Sequence, residues 1–309
     1  MKYSIVIPLY NEEESIYELY NRIAEQMDKI APSDYEIIFV NDGSRDKSLQ
    51  NIKKLILDHD NIRVYSFRIN QGKSAGLSIG FEHAKGKYII TMDADLQDEP
   101  SEIPKLIAKL AEGYDMVSGW KENRQDPVDK TLPSKIFNFI VSNTSKVYVH
   151  DFNCGFKIYK KQVVKEIKIY GQLYRFIPVL VAERGFRVGE VKVRHNKRKY
   201  GHSKYNWKRV FAGIIDLATV LFFMKYGKRP LHLFGFIGCL ISSVGFLALF
   251  YLAVLHFLGQ HIGERPLLAF GETMVIAGLQ IIFTGIIADM ITKYNHNDSD
   301  YPLLSDEEI

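Results

Sequence analysis

The sequence predicts an α/β domain with a mostly parallel sheet, followed by interfacial helices and two transmembrane helices. Two observations lead to this prediction. Over the first 120 residues, apolar runs of strand length alternate with stretches that carry apolar residues at helical spacing, which is typical of a parallel sheet covered by helices on both faces. Over the last hundred residues, two apolar runs each exceed the roughly 20 residues that cross a bilayer.

Strands and helices follow one another in regular order in the first part of the chain. The predicted strands, rich in Ile, Val, Phe and Tyr, are Tyr3–Tyr10, Tyr35–Asn41, Ile62–Phe67, Tyr88–Met92 and Asp115–Gly119. The predicted helices between them are Glu12–Ile30, Asp46–Asp58, Gly72–Lys85 and Ser101–Glu112. Ligands of such sheets bind beyond the carboxyl ends of the strands. Asn11-Glu12, Asn41-Asp42 and Asp93/Asp95 follow three of these ends, so we expect them to share one crevice.

The second part of the chain is predicted to be a membrane anchor. Residues 207–226 mix aromatic, apolar and basic side chains as an interfacial helix does, although an ordinary packed helix is the alternative. The predicted spans are Leu231–Leu258 and Leu267–Ile291, with a buried hairpin of core helices as the alternative. Basic residues flank the two spans, and the positive-inside rule then places the N-terminal part and the C-terminal tail in the cytoplasm. These basic residues are Lys225, Lys228, Arg229 and Lys293.

Composition narrows the class of protein. The 309 residues carry a net charge of +4, which is too small to indicate nucleic acid as a partner. Cys154 and Cys239 form no disulfide framework and fit a reducing compartment. The apolar start of the chain is broken early by Pro8, so we interpret it as structure rather than as a secretory signal.

The segment Asp93-Ala94-Asp95 is a candidate metal site. Two carboxylates this close repel each other, and a hard divalent cation relieves the repulsion through oxygen ligands. Gln97 can add an amide oxygen, and Asp42 lies at a neighbouring strand end. Such a cation would neutralise the charge that develops on a diphosphate leaving group. A loop of solvated acids is the alternative.

Two further segments offer groups for a nucleotide. Asp42 can accept hydrogen bonds from a base or ribose, although Asn41–Ser44 is also ordinary turn sequence. Asn70–Ser74 places a glycine and a lysine before a helix, but it lacks the spacing of a P-loop. The spacing therefore excludes a P-loop ATPase.

Four ordered motifs resemble those of family 2 glycosyltransferases. They are Ile7–Glu13, Asn41–Ser44, Met92–Asp98 and Asn153–Lys157. The most similar subgroup comprises the polyprenyl-phosphate glycosyltransferases, which include dolichol-phosphate mannose synthase and bactoprenol glucosyltransferase. The resemblance implies the GT-A fold, a Rossmann-like sheet with an appended acceptor region.

The resemblance also implies a division of the chain. Residues 1–205 would form the GT-A domain, with a nucleotide-binding half at 1–120 and an acceptor region at 121–205. Residues 206–229 would form the interfacial helix, 230–293 the two-helix anchor and 294–309 an acidic cytoplasmic tail.

Roles for individual residues follow from the same resemblance. Asp95 and Asp151 would be catalytic, and Asp93, Asp95 and Gln97 would hold Mg²⁺ or Mn²⁺. The nucleotide-sugar pocket would be lined by Pro8, Tyr10, Glu12, Asp42, Lys73 and Asp93. The acceptor phosphate would meet Lys121, Lys130, Ser134 and residues of the basic loop Arg194–Tyr205, namely Arg198, Ser203 and Lys204.

The predicted reaction transfers a sugar from a UDP- or GDP-linked donor to a polyprenyl (undecaprenyl or dolichyl) phosphate at the inner face of the cytoplasmic membrane. A lipid phosphate is already an oxyanion, so one inverting displacement needs little general-base help. A processive polysaccharide synthase is an alternative, because Gln172–Phe176 nearly matches the Gln-x-x-Arg-Trp motif of those enzymes. A non-catalytic membrane scaffold is another. A homo-oligomer and a downstream flippase stay open as partners, and no motif identifies the sugar.

Overall fold

The chain forms two compact units in a computed structural model, Met1–Val220 and Leu221–Ile309. The structure describes residues 1–121, 147, 149–171, 173–196, 219, 222, 225–227, 229–263 and 265–294. The finer division into domains at residues 205, 229 and 293 stays a prediction.

One sheet organises the first unit. Its strands are β1 (Tyr3–Leu9), β2 (Tyr35–Asn41), β3 (Ile62–Ser66), β4 (Tyr88–Thr91), β5 (Met116–Trp120), β6 (Lys157–Lys160) and β7 (Val188–Lys192). They lie in the order β3-β2-β1-β4-β6-β5-β7. Every neighbouring pair is parallel except those of β6, which runs antiparallel to β4 and β5. The predicted α/β fold with a mostly parallel sheet is confirmed.

Helices connect the strands as the sequence predicts. They are α1 (Ile16–Ile30), α2 (Ser48–Asp58), α3 (Lys73–His83), α4 (Ile103–Ala111), α5 (Lys161–Glu166) and α6 (Ile177–Glu183), with short 3-10 turns at Pro100–Glu102 and Leu173–Phe176. The five predicted strands end within one residue of the observed bounds. Helix α1 begins four residues later than predicted, because Glu12 and Glu13 donate their backbone N–H groups to Ser48 and Asp46 instead of entering a helix.

Alternating side chains of the strands bury both faces of the sheet. Ile5, Ile7 and Phe39 pack with α1 and α2 on one face, while Val6 and Ile38 pack with α3 on the other. Small residues let α3 lie directly on β1, since a Cβ at Gly80 would collide with Val6 and one at Gly76 would come within 3.1 Å of the Pro8 Cβ. The fold therefore brings the first residue of α3 to the edge of the sheet where β1 and β4 end.

Two long apolar helices form the second unit, α7 (Pro230–Phe257) and α8 (Pro266–Tyr294). Both predicted spans are helical, and both helices are long and apolar enough to cross a membrane. They pack antiparallel through small residues: a Cβ at Gly278 would be 2.6 Å from the Gly238 carbonyl oxygen, and one at Gly245 would be 2.7 Å from that of Gly271. Of the predicted interfacial stretch 207–226, the described residues 219, 222, 225 and 226 are helical.

Candidate active site

Polar residues from three strand ends meet at one edge of the sheet. β1, β2 and β4 are parallel neighbours, so their carboxyl ends open on the same side. Asn11, after β1, donates its N–H to the Ser44 hydroxyl at 2.9 Å, and its side-chain oxygen accepts the Arg45 N–H at 2.8 Å. Positive φ at Asn11 lets the chain turn sharply there. The predicted shared crevice therefore has a geometric basis.

Asp42 holds the loop that leads into α3. Its two carboxylate oxygens accept the N–H groups of Gln71 at 2.6 Å and Gly72 at 2.9 Å. Asp42 is 5% exposed. A Cβ at the next residue, Gly43, would lie 2.6 Å from the Ile69 carbonyl carbon, so the two loops touch backbone to backbone. The Asp42 carboxylate thus fixes the residues immediately before Lys73, and its predicted contact with the nucleotide stays a prediction.

Lys73 forms an ion pair with Asp93 across the crevice. Burial alone would raise the pKa of Asp93, but the positive charges of Lys73, Lys121 and Lys157 outweigh it and lower the pKa to about 2. The Lys73 ammonium also lies 5.4 Å from the centre of the Tyr174 ring. Asp93 is consequently ionised throughout the physiological range.

The loop after β4 turns sharply to present its acids. Leu96 is buried yet adopts a φ of 60°, in the left-handed region that few non-glycine residues occupy. Asp95 is 8% exposed, and its carboxylate accepts the Gln97 N–H at 3.2 Å. The side-chain nitrogen of Gln97 lies 3.3 Å from His195 Nε2 and 3.5 Å from the Asn196 carbonyl oxygen. These contacts use the amide nitrogen and leave the amide oxygen for another ligand.

Asp98 is a functional candidate that the sequence analysis did not single out. It is 1% exposed, and its carboxylate accepts the Asp93 N–H at 3.2 Å. The Lys121 ammonium lies 3.0 Å from the other Asp98 oxygen. Burial would lower the pKa of Lys121, but Asp98 and other negative groups raise it. Lys121, predicted to bind the acceptor phosphate, is therefore paired with the loop after β4.

The segment before β6 completes the wall behind Asp93. Gly155 packs so closely that a Cβ there would lie 2.6 Å from a carboxylate oxygen of Asp93. The Gly155 carbonyl accepts the Thr91 hydroxyl at 2.7 Å. Asp151 is 2% exposed, and its carboxylate accepts the Asn153 N–H at 3.1 Å. Its backbone N–H donates to Glu190 at 3.2 Å.

The remaining predicted residues divide into two groups. Pro8 lies in β1, and Tyr10 and Glu12 follow that strand on the way to α1, all three partly buried. The other predicted acceptor residues lie outside the described residues. They are Lys130, Ser134, Arg198, Ser203 and Lys204.

The donor set fits a divalent cation whose coordination is completed by substrate. Within the described segments, no group of three or more His, Cys, Asp or Glu side chains is placed to hold a metal ion. Asp93, Asp95 and Gln97 instead offer two carboxylates and an amide oxygen. Mg²⁺ is commonly bound by one or two carboxylates together with substrate phosphates and waters.

Comparison with known proteins gives the family. The model of "Glycosyl transferase family 2" matches residues 4–168. A dodecaprenyl-phosphate galacturonate synthase of Rhizobium johnstonii is 37% identical over 98% of this chain and 91% of its own length. An undecaprenyl-phosphate 4-deoxy-4-formamido-L-arabinose transferase of Pseudomonas fluorescens is 34% identical over 94% of this chain and 84% of its own.

Solved structures agree on the fold. Glucosyl-3-phosphoglycerate synthase of Mycobacterium tuberculosis, crystallised with Mn²⁺, uridine diphosphate and phosphoglyceric acid, matches with a TM-score of 0.55 at 16% identity, over 72% of this chain and 77% of the other. The family match covers the strands and loops that build the crevice, and the two relatives match across both units. This chain belongs to glycosyl transferase family 2 and is a glycosyltransferase.

Proposed function

We propose that this chain transfers a sugar from a nucleotide-diphosphate sugar to a polyprenyl phosphate at a membrane surface. The main support for the proposal is that the same chain contains both the Asp93–Asp95 crevice and two helices of membrane-spanning length. The two curated relatives are named for sugar transfer to dodecaprenyl and undecaprenyl phosphate, and they match this chain through those helices.

The donor binds beyond the strand ends, with its diphosphate at Asp93, Asp95 and Gln97. A Mg²⁺ or Mn²⁺ ion held there would neutralise the charge that develops on the departing diphosphate. Lys73 adds a fixed positive charge beside Asp93, and Asp42 holds the loop before Lys73 in place. Pro8, Tyr10 and Glu12 line the nucleotide side of the crevice.

The acceptor supplies its own nucleophile. A phosphate monoester is anionic near neutral pH, so its oxygen attacks the anomeric carbon directly and inverts the configuration. Binding it requires cations, which we assign to the basic loop Arg194–Tyr205 together with Lys121 and Lys130. His195 and Asn196, at the start of that loop, contact Gln97, and these contacts support a role for the loop beside the donor. Asp151 stays a predicted catalytic residue.

The chain is proposed to lie in the inner membrane with the catalytic unit and both termini in the cytoplasm. The basic residues that flank α7 and α8 support this orientation. Cysteine-accessibility mapping of residues 260–266 is expected to label this connection from outside the cell, and labelling from the cytoplasm would overturn the orientation. Partnership with a flippase or a second copy stays a prediction.

The reaction is tested with membranes that contain the protein, labelled nucleotide sugars and polyprenyl phosphate. A panel of UDP- and GDP-linked neutral and acidic sugars is expected to yield one lipid-linked product, and EDTA is expected to abolish it. Asp95→Asn is expected to lower the rate by about 100-fold or more, whereas Asp58→Asn, at the exposed end of α2, is its matched control. If no donor in the panel gives a lipid-linked sugar whose formation EDTA prevents, the proposal is wrong.

A further inference from the structure

Gln97 differs from the other two residues of the predicted metal site in the chemistry of its side chain. The carboxylates of Asp93 and Asp95 offer an oxygen in either orientation, whereas the Gln97 amide has one oxygen and one NH₂ group, which only donates hydrogen bonds. A half-turn of the amide therefore removes a metal ligand. Nearby carboxylates attract the NH₂ group, so they favour the opposite orientation while no cation is bound.

Two acceptors engage the amide nitrogen of Gln97. The Asn196 carbonyl oxygen, 3.5 Å from Gln97 Nε2, can only accept a hydrogen bond, and this contact assigns the nitrogen to that side of the amide. His195 Nε2 lies 3.3 Å from the same nitrogen. Because one hydrogen of the NH₂ group is directed at the carbonyl, the other is donated to the lone pair of His195 Nε2, and the imidazole proton is then on Nδ1. The amide oxygen consequently points away from both residues.

The segment that carries His195 is fastened to the loop after β4. Asp98 and His195 form an antiparallel bridge, and the Asn196 N–H donates to the Gln97 carbonyl oxygen at 2.9 Å. The Asn196 side chain donates to Glu99 at 2.8 Å, and Glu99 is in turn paired with α1. The imidazole of His195 therefore has a defined position beside Gln97, which a residue that orients a metal ligand requires.

We propose that His195 is a positioning residue, which accepts a hydrogen bond from the Gln97 amide and thereby directs the amide oxygen toward the divalent cation. This inference rests on the metal site of the proposed function and adds a residue to it. His195 acts through Gln97 and touches neither the cation nor the substrate. Residues that orient a metal ligand in this way commonly contribute about 10- to 100-fold to metal affinity.

Binding of nucleoside diphosphate to the purified full chain in detergent gives a readout that does not depend on activity. The Kd values of UDP and of GDP are measured in EDTA and in Mn²⁺, and the ratio of the two values is the tightening that the cation provides. His195→Phe removes the acceptor but keeps an aromatic ring, so we expect it to lower this ratio by about 10-fold or more, with the Kd in EDTA unchanged. His195→Gln restores an acceptor and is expected to retain most of the tightening.

Two comparisons separate the orientation of Gln97 from a general effect on the fold. His83→Phe changes a partly buried histidine that stacks on Tyr65 at the last residue of α3, about 15 Å along that helix from Lys73. It is expected to leave the ratio unchanged. Gln97→Ala removes the side chain that His195 orients, so the addition of His195→Phe to this variant should lower the ratio no further.

Four results would contradict this role for His195. They are a wild-type ratio in His195→Phe, an equal loss in His195→Gln, additive losses in the double variant, and a weaker Kd in EDTA, which would assign His195 to the nucleotide instead. Lipid-linked sugar formed by the wild type would uphold the proposed function in each of these cases. If Mn²⁺ tightens neither nucleotide in the wild type, both the metal site and the role of His195 are wrong.

Discussion

Gly155 lies directly behind the carboxylate of Asp93. We expect a substitution there to lower activity much more than stability. In Gly155→Ala, the new methyl group would lie 2.6–2.7 Å from the carboxylate atoms. The carboxylate must move by about 0.8 Å to restore ordinary contact, and misplacements of about 1 Å can cost about 100-fold in rate. Because the obstructed atoms are the end of a partly exposed side chain, the displacement costs the fold little.

We therefore expect Gly155→Ala to lower kcat about 100-fold and to raise the metal concentration for half-maximal activity, with a nearly unchanged melting temperature. Gly80→Ala is the matched control, because its methyl group would collide with Val6 inside the core. That variant is expected to lose about 1–3 kcal/mol of stability with less effect on activity per folded molecule. Activity assays and thermal melts of both variants test these two expectations. A fully active Gly155→Ala, or one that melts as early as Gly80→Ala, would refute the reasoning.

Three other substitutions test separate contacts. Asp42→Asn removes a charged acceptor of two backbone N–H groups. It should lower the free energy of unfolding, measured by chemical denaturation, by about 1.5–3 kcal/mol and raise KM for the donor. An unchanged KM would show that the loop has no part in donor binding. Lys121→Met leaves Asp98, which is 1% exposed, without its ion pair; a loss of about 3–5 kcal/mol is expected, and a stability within 1 kcal/mol of wild type would contradict the pairing. Gly278→Leu should separate the two apolar helices, since even a Cβ there would be 2.6 Å from the Gly238 carbonyl; thermal melts in detergent that match wild type would show that the close approach is dispensable.

Strand and helix order was predictable because each element of residues 1–120 has its own periodic signal. β6 was not, because lysines occupy two of its four positions and hide the apolar alternation of a strand. Its place in the sheet depends on antiparallel pairing with Thr91 and Ser118, residues far away in the sequence. Long-range pairing of this kind leaves no local pattern to find.

The positions of the acidic residues in the site were predictable from the sequence, but the groups that they contact were not. A pair of carboxylates directly after a buried strand indicates the crevice, and Asp93 and Asp95 lie there. Asp98 was overlooked because an acid in a turn usually faces solvent. Its burial follows from Lys121 at the end of β5, and that proximity exists only once β6 has joined β4 to β5 in the sheet.

The motif that contains Asp42 has two possible interpretations. A carboxylate after a strand can bind a nucleotide or fix a turn, and sequence alone gives both equal support. In the folded chain both carboxylate oxygens bind backbone N–H groups of the loop before α3, and the first residue of α3 is the Lys73 that pairs with Asp93. Asp42 therefore fixes the loop that positions Lys73, and we expect it to influence donor binding through that lysine. A displacement of Asp42 would therefore also displace Asp93 through this loop. Gly155 restricts the Asp93 carboxylate from the other side.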